Sequence, residues 1–258
     1  MRSALFLFVL TALACDRPEA PTDLAELAEF FFSEAEGDPR LLADGFDNFS
    51  AVLSALDLSG PRADRMFELP PFDPAVEPVP REVRWENQVP VGGAGISSFP
   101  ITDTVRTVRL EDQRPVQSQS SVVYDRRFVS DPECFIARTC ESLEVENTIT
   151  KESPIASLPY ELPMTYRWIE LDDGRLAYFS RGWMHERSPG AEDDHWFDQN
   201  YHSELWIEHP DDPSKTIRWI SVWSSVSIPG VTDEFAAGQV EMAIDDAFQR
   251  ADGWLGDS

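Results

Sequence analysis

All four histidines of the chain fall in one stretch, HERSPGAEDDHWFDQNYHSELWIEHPDD, at His185, His195, His202 and His209. Carboxylates crowd the same stretch, among them Asp193, Asp194 and Asp198. Clustered imidazole and carboxylate is the donor set of zinc and other divalent-metal sites. The spacing matches no compact site, however. No two histidines stand four apart, and HExxH is absent although His185-Glu186 begins like it. The acidic loop at His195 lacks the glycine of an EF-type calcium loop. His202 and Glu204 share one face of a strand and are the best local pair. The metal candidates are therefore His185, His195, His202 and Asp194. The reading they carry is a metal-dependent enzyme working through residues 185–209. Against it stands a solvated polar hairpin that needs no cofactor.

Other reaction motifs are missing. GGAG at 92–95 lacks the third glycine of a dinucleotide fingerprint and the Lys-Ser/Thr of a phosphate loop, and reads as a flexible connection between strands. No G-x-S-x-G elbow occurs. The tryptophans offer a hint of binding instead. Trp168, Trp183, Trp206, Trp219 and Trp223 all lie in expected strands, interleaved with Arg167, Arg181 and Arg218. Facing one concavity, such rings would line an apolar or carbohydrate pocket. Inward arginines would suit an anionic head on an apolar ligand. Trp183, Trp219, Trp223 and Arg181 are the ligand-binding candidates, and a plain aromatic core is the alternative.

Composition narrows the partners. Acidic residues outnumber basic ones by 47 to 21, a net charge of −26. Such a surface repels nucleic acid and anionic headgroups. Sixteen phenylalanines and eight tryptophans argue for a packed core and against disorder.

The chain opens with MRSALFLFVLTALACDRPEA. Ala4 to Ala14 is an apolar run of eleven residues broken only by Thr11, after one arginine. Spanning a bilayer takes about 20 such residues, so the run fits the apolar core of a secretory signal. Ala12-Leu13-Ala14 before Cys15 resembles the processing site of bacterial lipoproteins, with alanine where that family usually has leucine. The resemblance covers the first fifteen residues. It implies cleavage before Cys15, a diacylglyceryl group on its sulfur, and a membrane partner through that lipid. Ordinary signal cleavage without lipidation is the alternative. Asp16 matches the inner-membrane retention pattern of enteric bacteria. The expected location is the cell envelope: the periplasmic face of either membrane, or the cell surface. With Cys15 lipidated, Cys134 and Cys140 remain as a pair six positions apart. A disulfide there is expected in an oxidising compartment and is worth about 2 kcal/mol.

These groups need a scaffold, and the chain supplies one in four parts behind the leader (1–14) and a tether (15–21). Residues 22–58 read as a helical hairpin, with Thr22 capping the first helix and Pro39 opening the second. Residues 59–80, with prolines at 61, 70, 71, 74, 78 and 80, form an extended crossover that Phe67, Leu69 and Phe72 can pin. From Arg81 the period becomes two. Strands are expected at EVRWENQ (82–88), TDTVRTVRLED (102–112), SSVVYDRRFV, SLEVENTIT, MTYRWIEL, RLAYFSRGWMHE, YHSELWIEH and KTIRWISVWSSVSI. The last carries Ile217, Trp219 and Trp223 on one face and Ile220, Val222, Val226 and Ile228 on the other, so both faces are covered. Thr232 caps a long final helix with an alanine-rich stripe. The expected fold is α+β: a twisted antiparallel meander of about eight strands, backed by the hairpin and the C-terminal helix. Residues 81–258 and 22–58 form one globular domain.

A meander closed by a long C-terminal helix resembles, in element order, the helix-grip arrangement of START-type lipid carriers. The resemblance implies an apolar or amphiphilic ligand held in the sheet's concavity. The leading expectation is a lipid-anchored, non-enzymatic binding protein of the envelope. A metal-dependent enzyme and a structural component of an envelope complex with a protein partner are the alternatives.

Overall fold

The computed structural model describes residues 19–79 and 88–258. The leader, Cys15 and all of the strand expected at 82–88 except Gln88 lie outside them. Helix α1 (Leu24–Ser33) is capped by Asp23, one residue past the expected cap Thr22, because the Asp23 carboxylate accepts from the Ala25 and Glu26 amides. Helix α2 (Pro39–Ser54) opens on its proline after the Asp38 cap.

The chain continues through β1 (Met66–Glu68), β2 (Val89–Ser97), a short α3 (Ile101–Thr104), β3 (Ser121–Phe128) and α4 (Pro132–Ile136). Strands β4 (Ser142–Ser153), β5 (Ala156–Glu170), β6 (Leu176–Trp183), β7 (Ser188–Pro189), β8 (Trp196–Glu208) and β9 (Thr216–Ser227) follow. Helix α5 (Asp233–Asp257) closes the chain, with Thr232 accepting from the Phe235 amide as expected. The strands form one antiparallel sheet in the order β1-β2-β9-β8-β6-β5-β4-β3, with β7 paired beside β8. The fold is the α+β meander with flanking helices that the sequence predicts.

Two segments differ from expectation. Residues 102–112 form no strand: α3 runs directly into a tight 3₁₀ turn at Val105–Arg109. Ile101, Thr104, Val105 and Val108 are the buried residues there. That is helical spacing, and it outweighs the strand preference of the β-branched residues. The second difference is GGAG, which is no loop but the middle of β2, paired with both β1 and β9. Its glycines admit close neighbours on both faces. A Cβ on Gly92 would sit 2.5 Å from the Trp219 ring, one on Gly93 2.6 Å from Ile244 Cγ2, and one on Gly95 2.9 Å from the Phe248 ring.

Each face of the sheet is covered. On one, the α1–α2 hairpin inserts Phe31, Phe32, Phe46 and Phe49 among Phe179, Tyr201, Trp219 and Trp223. Ring centroids lie 5.2 Å apart for Phe49–Trp219, 5.4 Å for Phe32–Tyr201 and 6.0 Å for Phe31–Phe179. The crossover is pinned there too. Phe72 packs on Trp223 at 4.3 Å, Leu69 is buried, and Phe67 meets Trp219 at 5.5 Å. On the other face, α5 lies over β2 and β9 through Ile244 and Phe248.

Gly92→Ala will lower stability by about 2 kcal/mol, because a rigid indole must move to admit one methyl. Gly238→Ala in α5, where an added Cβ meets nothing within 4 Å, will raise it by about 1 kcal/mol. Urea unfolding followed by tryptophan fluorescence measures both.

Candidate functional site

Strand pairing fixes which side chains face α5. From β4, β5, β8 and β9, the residues turned that way include Ile149 and Lys151, Tyr160 and Leu162, His202 and Glu204, and Ile220 and Val222. The bulge between Phe197 and Gln199 resets the alternation of β8, so Phe197 shares this face with the even-numbered residues beyond it. Against them α5 sets Ala236, Val240, Ala243 and Ile244. The branched and small side chains do not fill the space, and a cavity of about 200 Å³ remains. An engineered apolar cavity of about 150 Å³ stays dry and binds benzene. The cavity opens to solvent beside Ile155 and Phe235, which line it and are 46% and 41% exposed.

The polar lining is sparse and electrostatically lopsided. Lys151 Nζ donates to Ser121 Oγ at 2.5 Å and Ser118 Oγ at 3.3 Å. It forms no ion pair among the described residues. Burial pulls its pKa from 10.5 to about 8, although the charges of Glu204 and Asp246 partly oppose this. Glu204 Oε1 is 2.8 Å from His202 Nε2. Burial pushes the Glu204 carboxyl up, but the His202 hydrogen bond and the charges of His202, Arg218 and Arg126 outweigh it and hold the pKa below its ordinary value. Arg126 spends its guanidinium on Asn147 Oδ1, the Val108 carbonyl and Tyr166 Oη, all within 2.9 Å. Arg218 lies over the Phe248 ring at 4.8 Å. In a chain of net charge −26, this face thus gathers Lys151, Arg126 and Arg218 around one buried carboxylate, Glu204.

The residues singled out by sequence scatter. Trp219 and Trp223 are fully buried, but beneath the hairpin on the opposite face of the sheet. Trp183 packs on the same side, and its indole donates to the Pro78 carbonyl at 3.0 Å. Arg181 binds the Phe32 carbonyl and Glu36, and Arg167 binds the Ala35 and Gly37 carbonyls, so both fasten the hairpin to the sheet. These tryptophans therefore fill a core, and the cavity belongs to the aliphatic set of the same strands. The histidines are also separated. His185 packs at a tilt against Trp183, His195 sits in the β7–β8 turn, and His202 alone of the four lines the cavity. Asp194 Oδ1 is 3.8 Å from His195 Nε2. No group of three or more His, Cys, Asp or Glu side chains among the described residues is placed to hold a metal. The stretch is shared among a core edge, a turn and the cavity, which no common ion can bridge. Cys134 and Cys140 are joined by a disulfide across the β3–β4 connection.

Lys151 was missed by sequence reasoning, although two signals mark it. It continues the inward series Leu143, Val145, Asn147, Ile149 of β4. It is also one of only two lysines in the chain, the other being Lys215, which pairs with Asp212 in a turn.

No protein-family model matches the chain, and neither does any curated protein sequence. Solved structures with partial likeness to the chain do occur. One is a STAR-related lipid transfer protein fragment from Xanthomonas axonopodis, with 9% identity, TM-score 0.44, and 64% of this chain and 85% of that one covered. Another is a conserved protein from Geobacillus kaustophilus, with 6% identity, TM-score 0.41, and 65% and 95% covered. A third is the human StarD13 lipid transfer and protein localization domain, with 11% identity, TM-score 0.37, and 63% and 74% covered.

Because burial depresses the Lys151 pKa, its charge is a burden on the fold below about pH 8. The unfolded chain holds that proton more tightly, so wild-type stability rises between about pH 8 and 10.5. Lys151→Met will stabilise the protein at pH 7 by about 2 kcal/mol. The difference between the two proteins will shrink through that window. Paired urea titrations at pH 7 and pH 10 measure it, with the buried tyrosines common to both.

Proposed function

We propose that this chain is a binding protein that holds an apolar or amphiphilic small molecule between α5 and the sheet. The observation that carries the reading is the cavity itself. Its walls are mainly Ile, Val, Leu and Ala from β4, β5, β9 and α5 with the rings of Tyr124, Tyr160 and Phe197, and its mouth is apolar and exposed at Ile155 and Phe235. Pockets of this make-up, apolar with a few placed polar groups, are the usual form of small-molecule sites. The core on the other face is filled by interlocked rings, so the space beside α5 is a local feature of this one layer. The His202–Glu204 pair and Lys151 then supply polarity for recognition, not a reaction.

The same proposal places the domain at the cell envelope, held by lipid on Cys15. The lipoprotein-like Ala12-Leu13-Ala14-Cys15 sequence supports it. So does the disulfide, which belongs to an oxidising compartment. The tether's far end is fastened to the domain, since Asn48 Nδ2 donates to the Pro21 carbonyl at 2.9 Å. Two acyl chains hold a protein on a bilayer stably, where one holds it marginally.

Organic extraction of the purified domain, followed by mass spectrometry, will release an apolar small molecule close to one per chain. Ala243→Trp, which fills the cavity from α5, will release none while keeping the wild-type circular dichroism. A wild-type domain that releases nothing and fails to brighten 8-anilinonaphthalene-1-sulfonate would refute the reading. Separately, full-length protein will partition into the detergent phase of Triton X-114 and Cys15→Ala into the aqueous phase. Equal partitioning of the two would remove the anchor.

A further inference from the structure

We infer that Lys151 is the receptor for an anionic head group, so that the cavity takes an amphiphile with one negative charge on an apolar tail of medium length. This rests on the binding reading above and gives it a substrate class. The geometry comes first. The Lys151 ammonium carries three N–H donors, and two are met by the hydroxyls of Ser121 and Ser118. Hydroxyls orient the amine without neutralising it. The one buried carboxylate on the cavity wall, Glu204, is already engaged by His202 at 2.8 Å. Nothing else pairs the lysine among the described residues. A half-buried ammonium with hydroxyls but no carboxylate in contact lacks a counter-charge, and in a binding cavity that is what a ligand can bring.

Composition supports the same conclusion. The chain uses 47 acidic residues and two lysines. Placing one of those lysines inward, on a face that already carries Arg126 and Arg218, runs against the charge of the whole molecule. Glu204 is already engaged by His202, and Asp246 acts on the lysine without an ion pair among the described residues, so an anion entering the cavity finds an available donor at Lys151. The aliphatic residues Ile149, Leu162, Ile220 and Val222 line the same cavity and suit the tail. A volume of about 200 Å³, open at Ile155 and Phe235, admits a tail of several carbons and lets a longer one emerge.

Sodium octanoate and 1-octanol serve as matched probes, differing in the head group alone. Isothermal titration of the wild-type domain at pH 7 will show octanoate binding at least tenfold more tightly than octanol. In Lys151→Met that preference will vanish, with octanol affinity kept or improved. Raising the pH from 7 to 9.5 will weaken octanoate binding to the wild type and leave octanol unchanged. The other titratable groups around the amine are Tyr124 and Tyr160 from β3 and β5, whose hydroxyls burial pushes up and out of that range, Glu152 from β4, His202 and Glu204 from β8, and Asp246 from α5. Because the pH comparison uses the unmodified protein, it decides the matter even if the variant does not fold. Octanol and octanoate binding equally to the wild type, with no pH effect, would overturn the head-group role and leave the cavity reading intact. Binding of neither probe would overturn the cavity reading, and this inference with it.

Discussion

A strand gives alternate side chains to opposite faces, and in β8 and β9 both sets are buried. Everything else in the molecule follows from that division. In β9, Ile217, Trp219 and Trp223 meet the helical hairpin, while Arg218, Ile220 and Val222 meet α5 or the space beneath it. The two layers are filled differently because their residue types differ. Rings from four phenylalanines of the hairpin interlock with rings from the sheet and leave a solid core. On the other side a second ring cluster around Tyr178 and Trp206 is also packed, and the volume remains only where valine and isoleucine of the sheet face alanine and valine of α5.

The position of α5 is set by the glycines of β2. Gly93 and Gly95 let Ile244 and Phe248 approach the strand's backbone. The helix is thus seated close on β2 and passes over branched side chains where its earlier turns cross toward β4 and β5. The cavity occupies that gap, bounded along α5 from Phe235 to Ala247. The glycines lie outside the cavity lining and act on it through Ile244, by fixing how close the helix lies to β2. They also explain why β2 can be a central strand with so little side-chain mass: its neighbours supply the packing atoms.

Charge is distributed against the overall composition. The surface is acidic, and much of the basic complement is used structurally. Arg167 and Arg181 hold the hairpin, Arg175 ties Asp47 of α2 to the β5–β6 turn, and Arg126 bridges β3, β4 and β5 through neutral partners. Lys151 is different. It has hydroxyl partners alone and it faces open volume. Lys151, half-buried, thus has no carboxylate partner among the described residues.

Much of this was legible in the sequence. Local signals suffice where the cause is local: Pro39 opens α2, Thr232 caps α5, Asp173-Gly174 turns β5 into β6, and the six-residue spacing of Cys134 and Cys140 allows their bond. Alternation alone placed His202 with Glu204 and predicted that β9 is covered on both faces. What alternation cannot supply is which cover goes on which face. A strand read by itself has two equivalent sides, and tryptophans stand on both faces of this sheet, so either face was a candidate for a pocket until the hairpin took one and α5 the other. GGAG was illegible for a related reason: its strand character comes from Trp219, Ile244 and Phe248, which are distant in sequence. The amino-acid order determined the elements, their caps and the parity of every strand. Tertiary packing decided which parity encloses empty space, because volume belongs to the gap between elements and to no one of them.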